Sequence, residues 1–530
     1  MRLHNRLVQP VVDTFEFDSA IDSINGPSSW SDAILDQHQT PDPFPALHVA
    51  PRYDAVTPHG VNGMGSAWGN AGLATPEFFL NLEDRGGGGP NGKPSLTSKE
   101  AGAQIGRVNS TWNGATLGQA AEVTYAFRAT APTTMPNGTA GFSRFNAAQI
   151  EQTDIALRSW SDIANVTFKR VDGGNGYSDN AKMLIGNYDV GPRDAAAFAY
   201  YPGNGVGGDA WFNISQQANK APDNLNYGGI TLLHELGHAL GMSHPGDYNG
   251  GVGAPTYAKD ADYYEDTRQY SVMSYWSERN TDANHGGYYS SAPLMDDIAA
   301  IQRLYGANMA TRSGDTVYGF NSNTGRDYYT AKSAGSPLIF AAWDGGGNDL
   351  FDFTGFRQNQ LIDLNDGHFS NVGGLIGNVS IAEGVTIERA YGGAGADQII
   401  GNEANNLLFG VGGNDRIDGG GGADKLFGGD GADVFIFDSI SDSRAGANDH
   451  IYDFVSRTDR IDLSLIDADA GRAGDQAFAL VTRFTGRAGE AAVRYLNGVT
   501  SISLDNNGDG VADFVLTLGG QIDTMADLIL

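Results

Sequence analysis

The feature that most limits the fold of this chain is a repeat with a period of nine residues between positions 392 and 436. Five consecutive units read GGAGADQII, GNEANNLLF, GVGGNDRID, GGGGADKLF and GGDGADVFI. Glycine opens every unit, aspartate or asparagine stands at the sixth place, and a large apolar residue stands at the eighth. Glycine permits tight turns, and an apolar residue locked to the period predicts a short strand that buries it. A flexible linker would not keep this register, so we expect stacked short strands.

The pattern resembles the RTX repeats of calcium-binding parallel β-rolls, in which two units complete one turn. Residues 18 positions apart should then stack, which places on one edge Asp397, Asp415 and Asp433 and on the other edge Asn406 and Asp424. Turn carbonyls and carboxylates supply the oxygen ligands that calcium prefers. The second unit is degenerate, with Ala404 in place of glycine and Asn406 in place of aspartate, so we expect weak or missing calcium on that edge.

A second motif lies upstream and reads HELGHALGMSH, beginning at His234. At about 100° per residue in a helix, His234 and His238 point the same way, and Glu235 lies beside them. Gly241 can take the left-handed conformation that ends a helix, so the chain can turn back and bring His244 to the same ion. Three neutral imidazoles leave a fourth position on zinc for water, which is typical of a catalytic site. With Glu235 as general base, the motif predicts metal-assisted hydrolysis of an amide.

Farther along, the stretch SVMSYW begins at Ser271. An isolated Met-Ser-Tyr is more often core packing, and only its partnership with the zinc motif favours a functional interpretation. Together the two motifs resemble those of the metzincin metalloproteases, and specifically the serralysins, over roughly residues 90–530. In that family a methionine-containing turn passes beneath the zinc, and Met273 matches it. The resemblance implies that Tyr275 is catalytic, as a candidate additional zinc ligand at rest and a hydrogen-bond donor to the oxyanion during attack.

The resemblance implies an α+β metzincin-like catalytic domain followed by an all-β parallel β-roll with a C-terminal β-sandwich-like cap. We expect an N-terminal extension or propeptide over 1–75, ending between 40 and 75, a zinc metalloprotease domain over 76–310, and a calcium-binding roll and secretion domain over 311–530. One zinc ion and several calcium ions are implied. The expected zinc ligands are His234, His238 and His244. The expected calcium ligands are Arg312, Gly314, Thr316, Asp344, Gly346, Asp349, Thr386, Glu388, Gly393, Gly395, Asp397, Gly410, Gly412, Asp415, Gly419, Gly421, Asp424, Gly428 and Asp433.

Local patterns predict the regular elements and leave one segment open. They predict strands over 123–127 and 166–171, helices over 147–164 and 295–305, and over 196–200 an edge strand for an extended substrate. The segment DNNGDGVAD, which begins at Asp505, resembles the first half of an EF-hand loop, but Leu516 stands where a bidentate glutamate is needed. A polar hairpin turn is the other interpretation, and the pattern favours it.

Charge and composition exclude several classes of partner. The chain has 33 basic and 63 acidic residues, so its formal charge of −30 argues against nucleic acid and anionic membranes. It contains no cysteine, so neither a disulfide nor a thiolate latch for a propeptide can form. No stretch approaches the roughly 20 apolar residues of a membrane span.

The two ends of the sequence bear on localisation. The first residues lack the apolar region of a signal peptide, and the chain finishes Asp527-Leu528-Ile529-Leu530, as serralysins do. The resemblance therefore implies a secreted, extracellular bacterial protein that leaves by type I ABC secretion machinery. It also implies protein or peptide substrates and a monomer, and a small protein inhibitor is a further candidate partner. The alternative function is a calcium-dependent adhesin or surface-binding protein with an inactive protease-like domain, but an adhesin has no need of Glu235.

Overall fold

The computed structural model describes residues 10–13, 79–114, 116–191, 195–248 and 255–530, with backbone alone for 10–13. The extension predicted for residues 1–75 lies outside the described residues except for that short strand. The helices are α1 (Ser98–Ile105), α2 (Ala147–Ile163), α3 (Tyr227–Ala239), α4 (Tyr257–Asp260) and α5 (Met295–Tyr305). Short 3-10 helices occupy Leu82–Asp84, Pro136–Gly138, Gln217–Lys220, Glu278–Thr281, Asp327–Tyr329 and Met525–Asp527.

A six-stranded mixed sheet supports the first half of the molecule. Its strands are β1 (Pro10–Asp13), β2 (Ala121–Phe127), β3 (Val166–Arg170), β4 (Met183–Tyr188), β5 (Ala197–Tyr200) and β6 (Ala210–Asn213). They lie in the order β1-β5-β6-β4-β2-β3. Strands β2, β3, β4 and β6 are parallel, whereas β5 runs antiparallel to β6 and β1 antiparallel to β5. The strands and helices predicted here are therefore confirmed to within a residue or two at their ends.

The strand predicted over 196–200 forms, but while residues 10–13 pair with it, it is the second strand of the sheet and not the predicted edge. Residues 10–13 pair with it, from Pro10 opposite Tyr200 to Asp13 opposite Ala197. Nothing in the local pattern of residues 10–13 signals this pairing, because the contact spans nearly 190 positions of chain.

Helix α2 covers the sheet and holds α3 in place. It begins with a reciprocal cap, in which the Asn146 side chain accepts from the Gln149 N–H and the Gln149 side chain accepts from the Asn146 N–H, both at 3.0 Å. Trp160 on α2 is fully buried, and its indole N–H donates to the Leu233 carbonyl of α3 at 3.3 Å. The core of this half therefore lies between the sheet, α2 and the helix that carries the histidine motif.

The second half is rich in strands, most of them parallel and very short. They are β7 (Val317–Gly319), β8 (Phe340–Ala342), β9 (Leu350–Asp352), β10 (Leu361–Asp363), β11 (Phe369–Ser370), β12 (Val379–Ile381), β13 (Arg389–Tyr391), β14 (Gln398–Ile400), β15 (Leu407–Gly412), β16 (Arg416–Asp418), β17 (Lys425–Asp430), β18 (Val434–Ile436), β19 (His450–Ile451), β20 (Arg460–Asp462), β21 (Ala479–Val481), β22 (Glu490–Leu496), β23 (Val499–Asp505), β24 (Phe514–Gly519) and β25 (Leu528–Ile529). Within the described residues no helix is both long and apolar enough to cross a membrane.

Two parallel stacks carry the nonapeptide repeats. One has the order β10-β14-β16-β18-β20-β25, and the other runs from β7 through β9, β13, β15, β17 and β19 to β24. Alternate units fall in alternate stacks, so Ile399 pairs with Ile417 in one and Leu408 with Leu426 in the other. The predicted stacking at 18 positions is thus confirmed. All five apolar residues at the eighth place are fully buried: Ile399, Leu408, Ile417, Leu426 and Phe435.

The segment from Asp505 links two antiparallel strands, β23 and β24. The Asp505 carboxylate accepts from the Gly508 and Gly510 N–H groups at 2.7 and 2.9 Å. The hairpin interpretation is therefore the one that the structure bears out.

Candidate metal centre and active site

Helix α3 carries the first two histidines, and its glycines let neighbouring segments approach closely. The side chain of Asn226 caps it by accepting from the Gly229 N–H at 2.8 Å. A Cβ at Gly237 would lie 2.5 Å from the Met273 sulfur, so the glycine lets the methionine turn pass against the helix. Gly241 has φ +102°, and a Cβ there would lie 2.0 Å from the Ser110 carbonyl oxygen. The predicted helix stop at Gly241 is confirmed, since the last helical residue is Ala239.

The three predicted zinc ligands converge. The Nε2 atom of His244 lies 3.2 Å from the Nε2 of His234 and 3.2 Å from the Nε2 of His238. All three side chains are buried. Ligands about 2.05 Å from a tetrahedral zinc are about 3.3 Å from one another. The spacing of the nitrogens therefore fits a zinc ion.

The second nitrogen of each ring donates to a backbone carbonyl. His234 Nδ1 lies 2.8 Å from the Val272 oxygen, His238 Nδ1 lies 2.7 Å from the Met242 oxygen, and His244 Nδ1 lies 2.8 Å from the Tyr248 oxygen. A carbonyl accepts only, so each Nδ1 must carry the proton in the neutral ring. The tautomer that results leaves every Nε2 lone pair directed at the shared centre, as metal ligation requires.

Glu235, the expected general base, follows His234 on α3 and is fully buried. Its charge reaches the phenol of Tyr188 on β4. Burial and this charge together raise the pKa of Tyr188 well above its usual range.

Tyr275 and the methionine turn lie against the histidines as the resemblance implies. The ring of Tyr275 is centred 4.5 Å from His244 and 6.1 Å from His234. Met273 is fully buried beneath α3. The structure therefore brings the five expected active-site side chains into one cluster.

Asp297, at the start of α5, is a residue of this region that sequence reasoning missed. One carboxylate oxygen accepts from the Ser271 hydroxyl at 2.6 Å, and the other from the N–H groups of Val272 and Leu294 at 2.8 and 2.9 Å. Burial raises its pKa to about 6, against the lowering effect of these donors. Asp297 thus fixes the segment whose carbonyl orients His234. The available signal is the pair of acidic residues at the start of the predicted helix, which equally fits ordinary stabilisation of a helix N-terminus.

The repeat aspartates form two ladders of hydrogen bonds. In the first, Oδ1 of Asp415 accepts from the Asp397 N–H, and Oδ1 of Asp433 accepts from the Asp415 N–H, both at 2.8 Å. In the second, Oδ1 of Asp424 accepts from the Asn406 N–H at 2.7 Å. The two predicted edges are therefore present, with the residues assigned to each.

The other oxygen of these aspartates points into the turns. Buried Oδ2 atoms without a hydrogen-bond donor among the described residues belong to Asp349, Asp415, Asp418, Asp424, Asp433 and Asp449. Burial raises the pKa of Asp415 to about 7, and burial together with the charge of Asp449 raises that of Asp424 to about 9. Because buried anionic oxygens without a partner are costly, the arrangement fits calcium.

The geometry also explains the glycine that opens each unit. A Cβ at Gly410 would lie 2.1 Å from Oδ2 of Asp415, and one at Gly428 would lie 2.2 Å from Oδ2 of Asp433. Gly419 stands in the same relation to Asp424, at 2.4 Å. Any side chain at the first place would therefore fill the space into which the carboxylate points. The remaining expected glycines at 393, 395 and 421 lie in turns, and Gly412 is the last residue of β15.

The expected ligands before the repeats lie together in part. Oδ1 of Asp349 accepts from the Thr316 N–H at 2.8 Å, and Oε2 of Glu388 accepts from the Asp349 N–H at 2.7 Å, which continues the ladder pattern. Burial and the charges of Asp344 and Glu388 raise the pKa of Asp349 to about 7. The guanidinium of Arg312 donates to the Trp343 carbonyl. It also pairs with Asp162 at 3.1 Å, so only the backbone carbonyl of Arg312 is left for a cation.

The last expected calcium ligands are near this cluster. The Thr316 hydroxyl donates to the Gly314 carbonyl at 2.9 Å, and the Gly346 N–H donates to the Asp344 carboxylate at 2.9 Å. Thr386 lies two positions before Glu388 in the segment that leads into β13. Sequence reasoning missed Asp449 and Asp459, which continue the two ladders beyond the repeats.

Comparisons with known proteins agree with this geometry. The family model described as Peptidase M10 serralysin C terminal matches residues 307–530, and the Matrixin model matches residues 119–269. Metallopeptidase AprA of Pseudomonas marginalis is 55% identical over 84% of this chain and 94% of its own length. Serralysin C of Dickeya chrysanthemi is 50% identical over 85% of this chain and 94% of its own length.

Among solved structures, the AlgE6R3 subunit of the Azotobacter vinelandii mannuronan C5-epimerase is 28% identical over 27% of this chain and 77% of its own. The TM-score is 0.20, which is too low to indicate a shared fold. The matches to peptidases over most of the chain do not favour the adhesin alternative. The chain belongs to the serralysin family of secreted zinc endopeptidases.

Proposed function

We propose that this chain cleaves peptide bonds of extracellular proteins with one zinc ion held by His234, His238 and His244. The observation that carries the proposal is the convergence of three Nε2 atoms whose partner nitrogens all donate to carbonyls. Zinc, when bound, lowers the pKa of a water molecule and polarises the substrate carbonyl.

The remaining chemistry belongs to two side chains. Glu235 accepts the proton of the attacking water and passes it to the leaving amine. The phenol of Tyr275 donates a hydrogen bond to the oxygen that becomes negative during attack, and with zinc bound it would be an additional ligand at rest. Its ring lies close enough to His244 to support both roles.

Casein hydrolysis by the wild type and Glu235→Gln tests this assignment. Loss of the proton acceptor should lower kcat by about 10²- to 10⁴-fold, while zinc content measured by elemental analysis stays at one per chain. Glu151→Gln on the exposed face of α2 is the matched control and should keep wild-type kcat. Equal activity in the wild type and Glu235→Gln would place the chemistry elsewhere.

We further propose that substrate lies in extended form along β5 and that the extension over 1–75 is a propeptide that covers this strand. The antiparallel pairing of β1 with β5 supports both statements, because an added strand uses the same backbone groups as an extended substrate. The active extracellular form should begin between residues 40 and 75. Mass spectrometry of its N-terminus tests this, and an intact N-terminus on fully active protein would refute it.

For the second half we propose a calcium-binding β-roll with a β-sandwich-like cap formed by β21 to β24. The 18-residue register of the stacks and the buried Oδ2 atoms support it. We expect several calcium ions and a fold that depends on them. Thermal melting followed by circular dichroism, in buffer that contains zinc, should then give a markedly lower Tm for the strand signal without calcium than with millimolar calcium, and an unchanged Tm would contradict the dependence.

The proposed route out of the cell is a type I ABC exporter that reads the C-terminus. Leu528 and Ile529 form β25, which pairs with β20 at the end of one stack, so the signal would become part of the fold once calcium is present. Truncation of residues 527–530 should abolish export. We also propose a monomer, for which a small protein inhibitor is a candidate partner.

A further inference from the structure

Asp266 is a buried carboxylate whose hydrogen-bond donors all belong to the surroundings of the metal centre. It is fully buried. One oxygen accepts from the Tyr248 hydroxyl and the Ser274 hydroxyl, both at 2.7 Å. The other accepts from the indole N–H of Trp276 at 3.2 Å. All three donors are neutral, so hydrogen bonds alone offset the cost of burying this charge.

Two of these donors stand on either side of Tyr275 in the chain. Ser274 precedes it and Trp276 follows it, so Asp266 holds the side chains of both neighbours. Arg268, two positions after Asp266, adds to this. The guanidinium of Arg268 donates to the Tyr275 carbonyl at 3.1 Å, and the backbone N–H of Arg268 donates to the Trp276 carbonyl at 2.9 Å. The segment that begins at Asp266 therefore binds the carbonyls of Tyr275 and Trp276 and the side chains of both neighbours of Tyr275.

The third donor belongs to the loop after the last histidine. The ring of Tyr248 stacks on His244 at 5.2 Å and 15°, and its carbonyl accepts from His244 Nδ1 at 2.8 Å. The same ring lies 4.9 Å from Tyr275. One carboxylate thus links the loop that orients His244 to the turn that carries Tyr275.

We propose that Asp266 is a positioning residue that fixes the phenol of Tyr275 relative to the three histidine nitrogens. The inference rests on the role proposed for Tyr275. A displacement of about 1 Å at a group that contacts the reacting atoms can cost about a hundredfold in rate. The carboxylate of Asp266 acts through the three side chains that donate to it, those of Tyr248, Ser274 and Trp276.

The test is a double-mutant cycle with Asp266→Asn and Tyr275→Phe. Asp266→Asn has nearly the same shape but offers one acceptor oxygen where the carboxylate has two. It should lower kcat on casein about tenfold, with KM within about twofold and zinc retained. In the Tyr275→Phe background the same change should have no further effect on kcat, because the group that it positions is already gone. Additive losses would mean that Asp266 serves stability alone and would overturn the proposal.

A second readout is independent of activity. In protein loaded with cobalt(II), the visible d–d absorption depends on the number and geometry of the ligands. Asp266→Asn and Tyr275→Phe should change this spectrum in the same sense. The matched control is Asp209→Asn, another buried carboxylate of the same half, which pairs with Arg128 and should leave the spectrum unchanged. A wild-type spectrum in Asp266→Asn would overturn the proposal.

If Asp266→Asn does not fold, Trp276→Phe replaces it in the cycle, because this change removes a single donor at 3.2 Å and leaves an aromatic ring at the position. It should lower kcat about threefold in the wild type and not at all in Tyr275→Phe. Wild-type protein without casein hydrolysis would refute the proposed function, whereas the cobalt spectra would still decide whether Asp266 positions Tyr275.

Discussion

The backbone N–H of Asp424 donates to the carboxylate of Asp449 at 2.7 Å, although the two residues are 25 positions apart. Within the repeats the same bond joins residues 18 positions apart, as between Asp415 and Asp433. The ladder therefore continues after the repeat has ended, and the extra seven residues lie in the connection between β18 and β19. The row of buried carboxylates therefore also continues beyond the repeats, as far as Asp449.

Stability without calcium should fall as the pH rises. Burial raises the pKa of Asp424 to about 9 and those of Asp415 and Asp449 to about 7, from an ordinary value of 3.8. The folded state then binds more protons than the unfolded state between about pH 4 and pH 9, so the free energy of unfolding decreases through that window. Thermal melting in calcium-free buffer that contains zinc should give a lower Tm at pH 9 than at pH 5.

Excess calcium should remove this trend, because the cation replaces the protons in the turns. The variant Asp424→Asn, which removes the most strongly shifted group, should show a shallower fall of Tm in calcium-free buffer. A Tm that rises from pH 5 to pH 9 without calcium would contradict the buried-carboxylate account.

Asn406→Asp should increase the dependence of stability on calcium. The Asn406 side-chain N–H groups donate to the Glu388 carbonyl at 3.1 Å and to the Asn402 side chain at 3.2 Å. A carboxylate would face these oxygens and be repelled unless a cation lies between them. We expect a lower Tm than wild type in calcium-free buffer and, in calcium titrations, roughly severalfold tighter binding at one site. If the Tm of Asn406→Asp and of the wild type depended equally on calcium, the edge that contains Asn406 and Asp424 would need more than one restored ligand.

Val411→Gly should stabilise the second half. Val411 stands at the second place of its unit with φ +81°, where Gly420 and Gly429 have φ +72° and +96°. A β-branched residue is strained there, and its side chain is 40% exposed, so little burial is lost. Relief of this strain should raise the free energy of unfolding by about 1 kcal/mol. The greater conformational entropy of glycine in the unfolded chain offsets part of this gain. The control is Val455→Gly, which is 53% exposed and lacks a positive φ, and which should lower the Tm.

His244→Ala should weaken zinc binding. Two imidazoles would remain, and the ring against which Tyr248 and Tyr275 pack would be gone. Elemental analysis after dialysis should find less than one zinc per chain, whereas His450→Ala, in the second half of the molecule, should keep it. Full zinc retention by His244→Ala would count against its role as a ligand.

Periodic sequence features predicted the structure well wherever the cause was local. The 18-residue register, the helix over Met295–Tyr305 and the turn at Gly241 follow from glycine placement and apolar spacing, which act within a few residues. The three histidines were predictable for the same reason, since two share one helix and the third follows a fixed stop. These features need no knowledge of distant segments.

Features that depend on tertiary contacts were missed. Asp266 and Asp297 have no periodic signal, because their donors come from segments that meet only in the folded state. Asp449 lies outside the period, so its place in the ladder could not be counted from the repeat. The pairing of β1 with β5 joins residues too far apart for any local rule.

Each of the three imidazoles donates from Nδ1 to a main-chain oxygen, of Val272, Met242 or Tyr248. Substitutions at Val272 or Met242 that keep the backbone path would leave the proton on Nδ1 and the metal-facing lone pairs intact. Substitutions around such a centre are therefore tolerated as long as the backbone conformation of the loops is unchanged. Insertions or deletions in those loops, which shift a carbonyl, should damage the metal affinity far more than most single replacements.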